Sequence, residues 1–221
     1  MRQLLELVAT PQPAWPAVRE AIDSAPVVVQ VLRGNRARCD ETLLRLQVTT
    51  RNVLGALVHQ TGGLLVDEGW LRHLGGGCAG LPDAATANGI DERGRPTVVP
   101  GALVIAHDVL GGRFAVNVTS LPGDEGEVHY FAPDTLRWEP LEVDHAEFVA
   151  WSMSGATREF YAAFRWPGWE NEVRHLPLSM GLCLVPPPLL TAGHDISEIA
   201  PRVIPWDDLQ ALYADAASRR G

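Results

Sequence analysis

Residues 102–132 read ALVIAHDVLGGRFAVNVTSLPGDEGEVHYFA, and this stretch decides the fold class. It holds three short apolar runs, Ala102–Ala106, Arg113–Val118 and Glu127–Ala132, of strand length and too brief for helices. Gly111-Gly112 separates the first two, and Leu121-Pro122-Gly123-Asp124 separates the second from the third. Both separators are turn chemistry, glycine because it reaches positive φ without a Cβ clash. Strands joined by such tight turns run antiparallel, since a parallel pair needs a crossover of about a dozen residues. The expected fold is therefore α+β. Its sheet is mainly antiparallel from Leu64 to Ala132, with helices 51–60 and 145–153 packed on one face.

Upstream, Leu64-Leu65-Val66 opens a strand expected to continue through Trp70 to Leu74. Before it, Arg51–Gln60 carries apolar residues at 53, 54, 57 and 58, a helical face stopped by Gly62-Gly63. Val27–Leu32 reads as a strand, Arg33-Gly34-Asn35 as a turn and Glu41–Leu46 as a helix, after two short helical stretches near the N-terminus. Residues 78–100 have no period and read as a long loop. Downstream, Asp134 starts a turn toward Trp138, then His145–Met153 and Ala156–Phe164 read as helices. Arg165–Trp169 turns the chain, and the strand-like run Leu182–Val185 is cut by three prolines. A last helix has Pro205 and two aspartates, Asp207 and Asp208, at its positive end, with Leu209, Leu212, Tyr213 and Ala216 on one face.

Composition excludes several functions. The chain has 221 residues, 46% hydrophobic and 20% charged, as expected for one globular protein. All 18 basic residues are arginine, so a Walker phosphate loop and Schiff-base chemistry are excluded for want of a lysine. Against 27 acidic residues they leave a net charge of −9, which repels nucleic acid. Three distant cysteines, Cys39, Cys78 and Cys183, form neither a disulfide framework nor a zinc cluster and fit a reducing compartment. The N-terminus does not read as a signal peptide, and no apolar run approaches a membrane span. A cytoplasmic protein without membrane or nucleic-acid partners is expected.

No catalytic constellation stands out. Gly75, Gly77 and Gly80 match G-x-G-x-x-G, but Leu81-Pro82-Asp83 follows instead of a helix start, so the motif reads as a glycine loop. The serine elbow is absent, and Ser152-Met153-Ser154-Gly155 reads as a break between helices. The seven histidines show no i,i+4 pair, and neither metal nor cofactor is expected. Asp67, Asp108 and Asp134 lie near turns, where they either cap the backbone or, with a histidine, line an acid–base cleft. Trp70, Trp138, Trp166 and Trp169 sit beside turns, as loop pins or as a recognition surface.

Longer strings carry a resemblance. They are Leu46–Arg51, Thr61-Gly62-Gly63 with Asp67 and Gly69–Arg72, Asp108–Gly112 with Phe114 and Asn117, Tyr130–Leu141, and Arg165–Glu170. Together they resemble a bacterial family known only as a domain of unknown function. At coarser grain the order of features is similar to the SUKH superfamily, which includes bacterial immunity proteins. The matching features are Gly62-Gly63, Trp70 with Leu74-Gly75, Asp108 with Gly111-Gly112, and Phe148 with Trp151. That resemblance implies a single SUKH-like domain over 1–221, with extra N-terminal helices (about 1–35) and a C-terminal extension (about 172–221). His107 stands where the pattern leads one to expect a second acid.

The leading expectation is a noncatalytic binding protein, toxin-neutralising in type, whose acidic surface suits a basic protein partner. Its candidate binding residues are Trp70, Asp108, Gly111, Gly112, Asp134, Trp138, Trp166 and Trp169. The alternatives are an enzyme with an Asp/His pocket and a small-ligand sensor whose 75–100 loop closes over a tryptophan-lined pocket.

Overall fold

The computed structural model describes residues 1–185 and 200–219. Seven strands form one meander: β1 (Val29–Leu32), β2 (Gly63–Val66), β3 (Leu71–Leu74), β4 (Ala102–Asp108), β5 (Arg113–Asn117), β6 (Val128–Ala132) and β7 (Arg137–Pro140). Each strand pairs antiparallel with the next. Separately, β8 (Met180–Val185) pairs antiparallel with β9 (Ala200–Pro205). Around these lie α1 (Leu4–Val8), α2 (Trp15–Ser24), α3 (Arg36–Leu46), α4 (Val53–Gln60) and α5 (Ala84–Ala87). The later helices are α6 (His145–Met153), α7 (Thr157–Phe160), α8 (Trp169–Arg174) and α9 (Trp206–Ser218). The fold is α+β, as the turn chemistry requires. No described helix is long and apolar enough to cross a membrane.

Directly paired residues share a sheet face, so the register defines two rows. His73, Ala106, Phe114, Tyr130 and Glu139 face one side. Arg72, His107, Arg113, Phe131 and Trp138 face the other. The first face is the main core. Phe148 of α6 meets His73 and Phe114 at centroid distances of 5.4 and 4.6 Å, and Leu54 of α4 shares a hollow with Leu103, Val116 and Val149. Helices 51–60 and 145–153 thus lie on one face, as expected. The second face is covered by α9, whose buried Leu209 and Tyr213 cluster with Phe131 and Leu136.

Several sequence expectations change. The sheet extends past Leu64–Ala132 at both edges, gaining β1 and β7, where a turn toward Trp138 was expected. The single strand from Leu64 to Leu74 is two strands. Asp67, Glu68 and Gly69 all adopt positive φ (55°, 60° and 89°) and reverse the chain. Asn35 is not mid-turn but an N-cap: its side chain accepts from the Arg38 N–H at 3.2 Å and starts α3 earlier. The 78–100 loop contains α5, capped by Asp83 onto the Thr86 N–H at 2.9 Å. Beyond the Arg165–Trp169 turn lies α8, and Ala156–Phe164 splits into α7 and a 3-10 turn. Pro205 sits at the N-cap of α9, one position before the first turn. The prolines at 186–188 lie outside the described residues.

Candidate functional site

The β4–β5 turn places the site. Asp108 Oδ1 accepts from the N–H groups of Leu110 and Gly112 at 2.9 and 3.0 Å, closing the reversal. Its Oδ2 accepts from the Tyr130 and Tyr161 hydroxyls at 2.7 and 3.1 Å. Burial pushes the Asp108 carboxyl upward, against these hydrogen bonds. Gly111 takes φ 92°, and a Cβ there would meet the Tyr213 ring at 2.5 Å, so the bare glycine is what admits α9. Tyr213 donates its hydroxyl to the Leu110 carbonyl at 2.8 Å, and Gln210 Nε2 donates to the Gly111 carbonyl at 3.0 Å.

Between this helix, the second sheet face and the 80–98 segment lies a cavity of about 480 Å³. That is within the range of small-ligand pockets. Apolar walls come from Leu74, Val104 and Leu178; His107, Arg113 and Gln210 supply polar groups, and Trp206 and Asp207 stand at the start of α9. A bulge between Val104 and Ala106 brings Val104 and His107, otherwise of opposite parity, onto the same face. The 80–98 wall is held by Asn88, fully buried, whose side chain replaces a missing strand partner. It accepts from Val104 N–H at 2.7 Å and donates to Val104 C=O at 2.8 Å.

Three of the residues that line this cavity also carry a polar atom that is closed off from solvent and unpaired. Arg113 Nε, His107 Nδ1 and Gln210 Oε1 are buried and have no hydrogen-bond partner among the described residues. Arg113 joins none of the ion pairs formed among those residues. Its guanidinium instead lies 4.9 Å from the Phe131 ring centroid and 5.6 Å from that of Trp138, a cation–π seat that fixes it in place. The His107 ring lies 4.0 Å from that of Trp206, centroid to centroid and tilted by 37°, and burial, with Arg72 beside it, lowers its pKa to about 3, so the imidazole is neutral at physiological pH. The neighbouring Arg72 is spent: its guanidinium donates to the Leu178 and Met180 carbonyls at 2.9 and 3.0 Å. Native structures seldom leave buried polar atoms unpaired without a reason.

The sequence-derived candidates fall into separate places. Trp70, Trp166 and Trp169 come together, but as core: they are 0%, 5% and 9% exposed. Trp70 packs on the other two at centroid distances of 6.0 and 5.1 Å. Arg165 lies over Trp70 and Trp169 and pairs with Asp67 at 2.5 Å, holding the strained turn. The tryptophans pin loops and offer no solvent-facing anchor. Asp108, Gly111 and Gly112 build the turn under α9, with Asp108 fully hydrogen-bonded rather than open to a ligand. Trp138 seats Arg113, and Asp134 accepts from the Thr135 N–H in the β6–β7 turn. Asp67 and Asp108 are each committed to protein partners, Asp67 to Arg165 and Thr157 and Asp108 to Tyr130 and Tyr161.

The residues that reading missed are Arg113, Gln210, Asp207 and Trp206. One signal was available: His107 and Arg113 are polar positions in apolar strands, mirrored about the glycine turn, and so share a face.

Comparison with known proteins gives the chain its relatives. An uncharacterized protein, YbfG, of Escherichia coli (strain K12) is 40% identical over 187 residues, 84% of this chain and 85% of that protein. An uncharacterized protein of Haemophilus influenzae (strain ATCC 51907 / DSM 11121 / KW20 / Rd) is 32% identical over 180 residues, 80% of this chain and 78% of its own length. The model of the family described as "Protein of unknown function DUF2625" matches residues 4–209, from the first helix into α9, and the chain belongs to that family.

Proposed function

We propose that this protein is a noncatalytic binding protein that holds a small amphipathic molecule in the cavity under α9. One observation carries the reading: a cavity of about 480 Å³ with apolar walls is lined as well by three polar side chains, His107, Arg113 and Gln210. Polar groups of that kind orient a ligand, and the walls would take its apolar part. The 80–98 segment and Trp206 as walls fit the sensor alternative drawn from the sequence. A cytoplasmic setting suits the three free thiols.

The test is native mass spectrometry of the protein after incubation with a small-molecule cell extract. The expected result is a retained ligand mass that is lost in Ala87→Phe, which fills the cavity, while the thermal melt stays close to wild type. No retained mass, or equal retention by the filled variant, would overturn the reading. A protein partner of basic character is the second reading, supported by the net charge of −9 and the SUKH-like order of features. With the tryptophan cluster buried, it has to rest on charge rather than on aromatic anchors.

A further inference from the structure

The seven-stranded sheet ends in β1 on one side and in β7 on the other. An open strand edge is a template for another chain, and stable monomers blunt it with charge, proline or a cover. β7 carries Arg137, Glu139 and Pro140. In the smaller sheet β9 carries Pro201, Arg202 and Pro205, and the Leu182 N–H of β8 donates to the Val109 carbonyl at 2.7 Å. β1 has none of these devices. Residues 27–32 read VVVQVL, without a charge or a proline, in a chain of net charge −9. Val28 and Val31 are 56% and 37% exposed, and Gln30 is exposed between them.

The backbone of β1 has two sides. The Val28 and Leu32 carbonyls accept from the Asp67 and Gly62 N–H groups at 2.9 and 2.7 Å, so the even-numbered residues turn their peptide groups toward β2. Val29 and Val31 turn theirs outward, to an edge on which no described strand pairs. Around Gln30 the sequence reads nearly the same in both directions, with Val29 and Val31 one step away and Val28 and Leu32 two. A two-fold antiparallel pair needs that symmetry, because each residue meets the one at the opposite offset in the second copy. With the axis at Gln30, Val29 and Val31 of each copy exchange four hydrogen bonds in all with Val31 and Val29 of the other. Gln30 faces Gln30, Arg33 falls opposite Val27, and no like charges meet. Val28 falls opposite Leu32, beside a hollow of about 270 Å³ that both residues line with Leu65, Leu176 and Pro177.

We propose that β1 is a self-association edge, where two copies of this chain pair β1 to β1 about Gln30 and run their sheets into one. A four-residue strand offers few bonds, so the dimer is expected in the micromolar range. Sedimentation velocity of the full chain from about 1 to 500 µM should show monomer passing to dimer. Gln30→Glu sets two carboxylates face to face across the axis and should raise the midpoint about fivefold or more. Its thermal melt should match wild type, because the side chain is exposed. Gln30→Cys, with Cα atoms about 4.5 Å apart across the axis, should cross-link on mild oxidation. Val28→Cys should not, since its own counterpart lies four residues along the strand from the position it faces; wild type, with three cysteines, sets the background. A monomer at every concentration would overturn the proposal and leave the edge to an extended segment of a different protein. So would a dimer indifferent to Gln30→Glu, or equal cross-linking by the two cysteine variants, either of which would place the contact elsewhere.

Discussion

Gly111 and Gly112 are adjacent and needed for different reasons. Gly111 is required by its φ of 92° and by the Tyr213 ring; Gly112, whose φ is unexceptional, is required because a Cβ would run into the Asp108 carboxylate and the Tyr130 ring. Gly111→Val combines backbone strain with a clash against Tyr213 and Leu209, and is expected to cost about 3 kcal/mol or more in chemical denaturation. A wild-type midpoint would show that α9 does not rest on this turn. Trp70 is a second position with a single role. It is wholly buried beneath Arg165 and against Tyr161, Trp166 and Trp169, so Trp70→Ala should cost about 3–5 kcal/mol and be read in the melt. A folded, stable Trp70→Ala would contradict its place in the core.

Among the elements, β4 carries a strand's worth of hydrogen bonds with less than a strand's worth of partners. β3 pairs with it only through Asp108, His107 and Ala106, which leaves Val104 open on that side until Asn88 fills the position with its carboxamide. Removing that side chain buries an amide and a carbonyl without partners. Asn88→Ala is expected to destabilise by about 2–4 kcal/mol and to speed amide exchange across residues 84–98, with the β5–β6 pairing unaffected. Uniform exchange across the sheet would mean instead that Asn88 supports the global fold and not this wall. α9 is the opposite case, an element legible from its own pattern of Leu209 and Tyr213. Its docking partner, the Gly111 turn nearly a hundred residues earlier, has no trace in that local pattern.

At the scale of the molecule, burial of imidazoles sets the response to acid. His73, His107 and His145 are each depressed chiefly by burial, to about 3, 3 and 4. For His73 the proton can be placed. Ser152 spends its hydroxyl proton on the Val149 carbonyl, so His73 Nε2 donates to the serine and Nδ1 stays bare. These are bases whose native pKa lies below the unfolded value of about 6.5, so below that pH the unfolded chain binds protons the native one refuses. Stability accordingly rises with pH from about 4 to 6.5 and levels off above. Each histidine removes about 2 kcal/mol between pH 7 and pH 5. Urea titrations at the two pH values check this, and a His107→Asn variant that folds should show a shallower slope. A pH-independent midpoint would mean that water reaches these rings in the native state.

Sequence alone determined the antiparallel character of the sheet, because its evidence is local: short β-branched runs and glycine turns leave a meander as the simplest arrangement, and 3.6-residue periods mark α4, α6 and α9. Local too were the signals misread, Asp67-Glu68-Gly69 as strand and Asn35 as turn, where a polar residue's backbone role outweighed its neighbours' propensity. The tryptophans beside turns were visible as a class, but whether they faced water depended on Arg165 and Asp67, 98 residues apart, closing over them. Only the tertiary structure decided the candidate site. Its polar atoms come from β4, β5 and α9, and no sequence spacing links Arg113 to Gln210. They meet because antiparallel register puts His107 beside Arg113, a bulge turns Val104 to the same face, and a glycine without a side chain lets a distant helix settle above them.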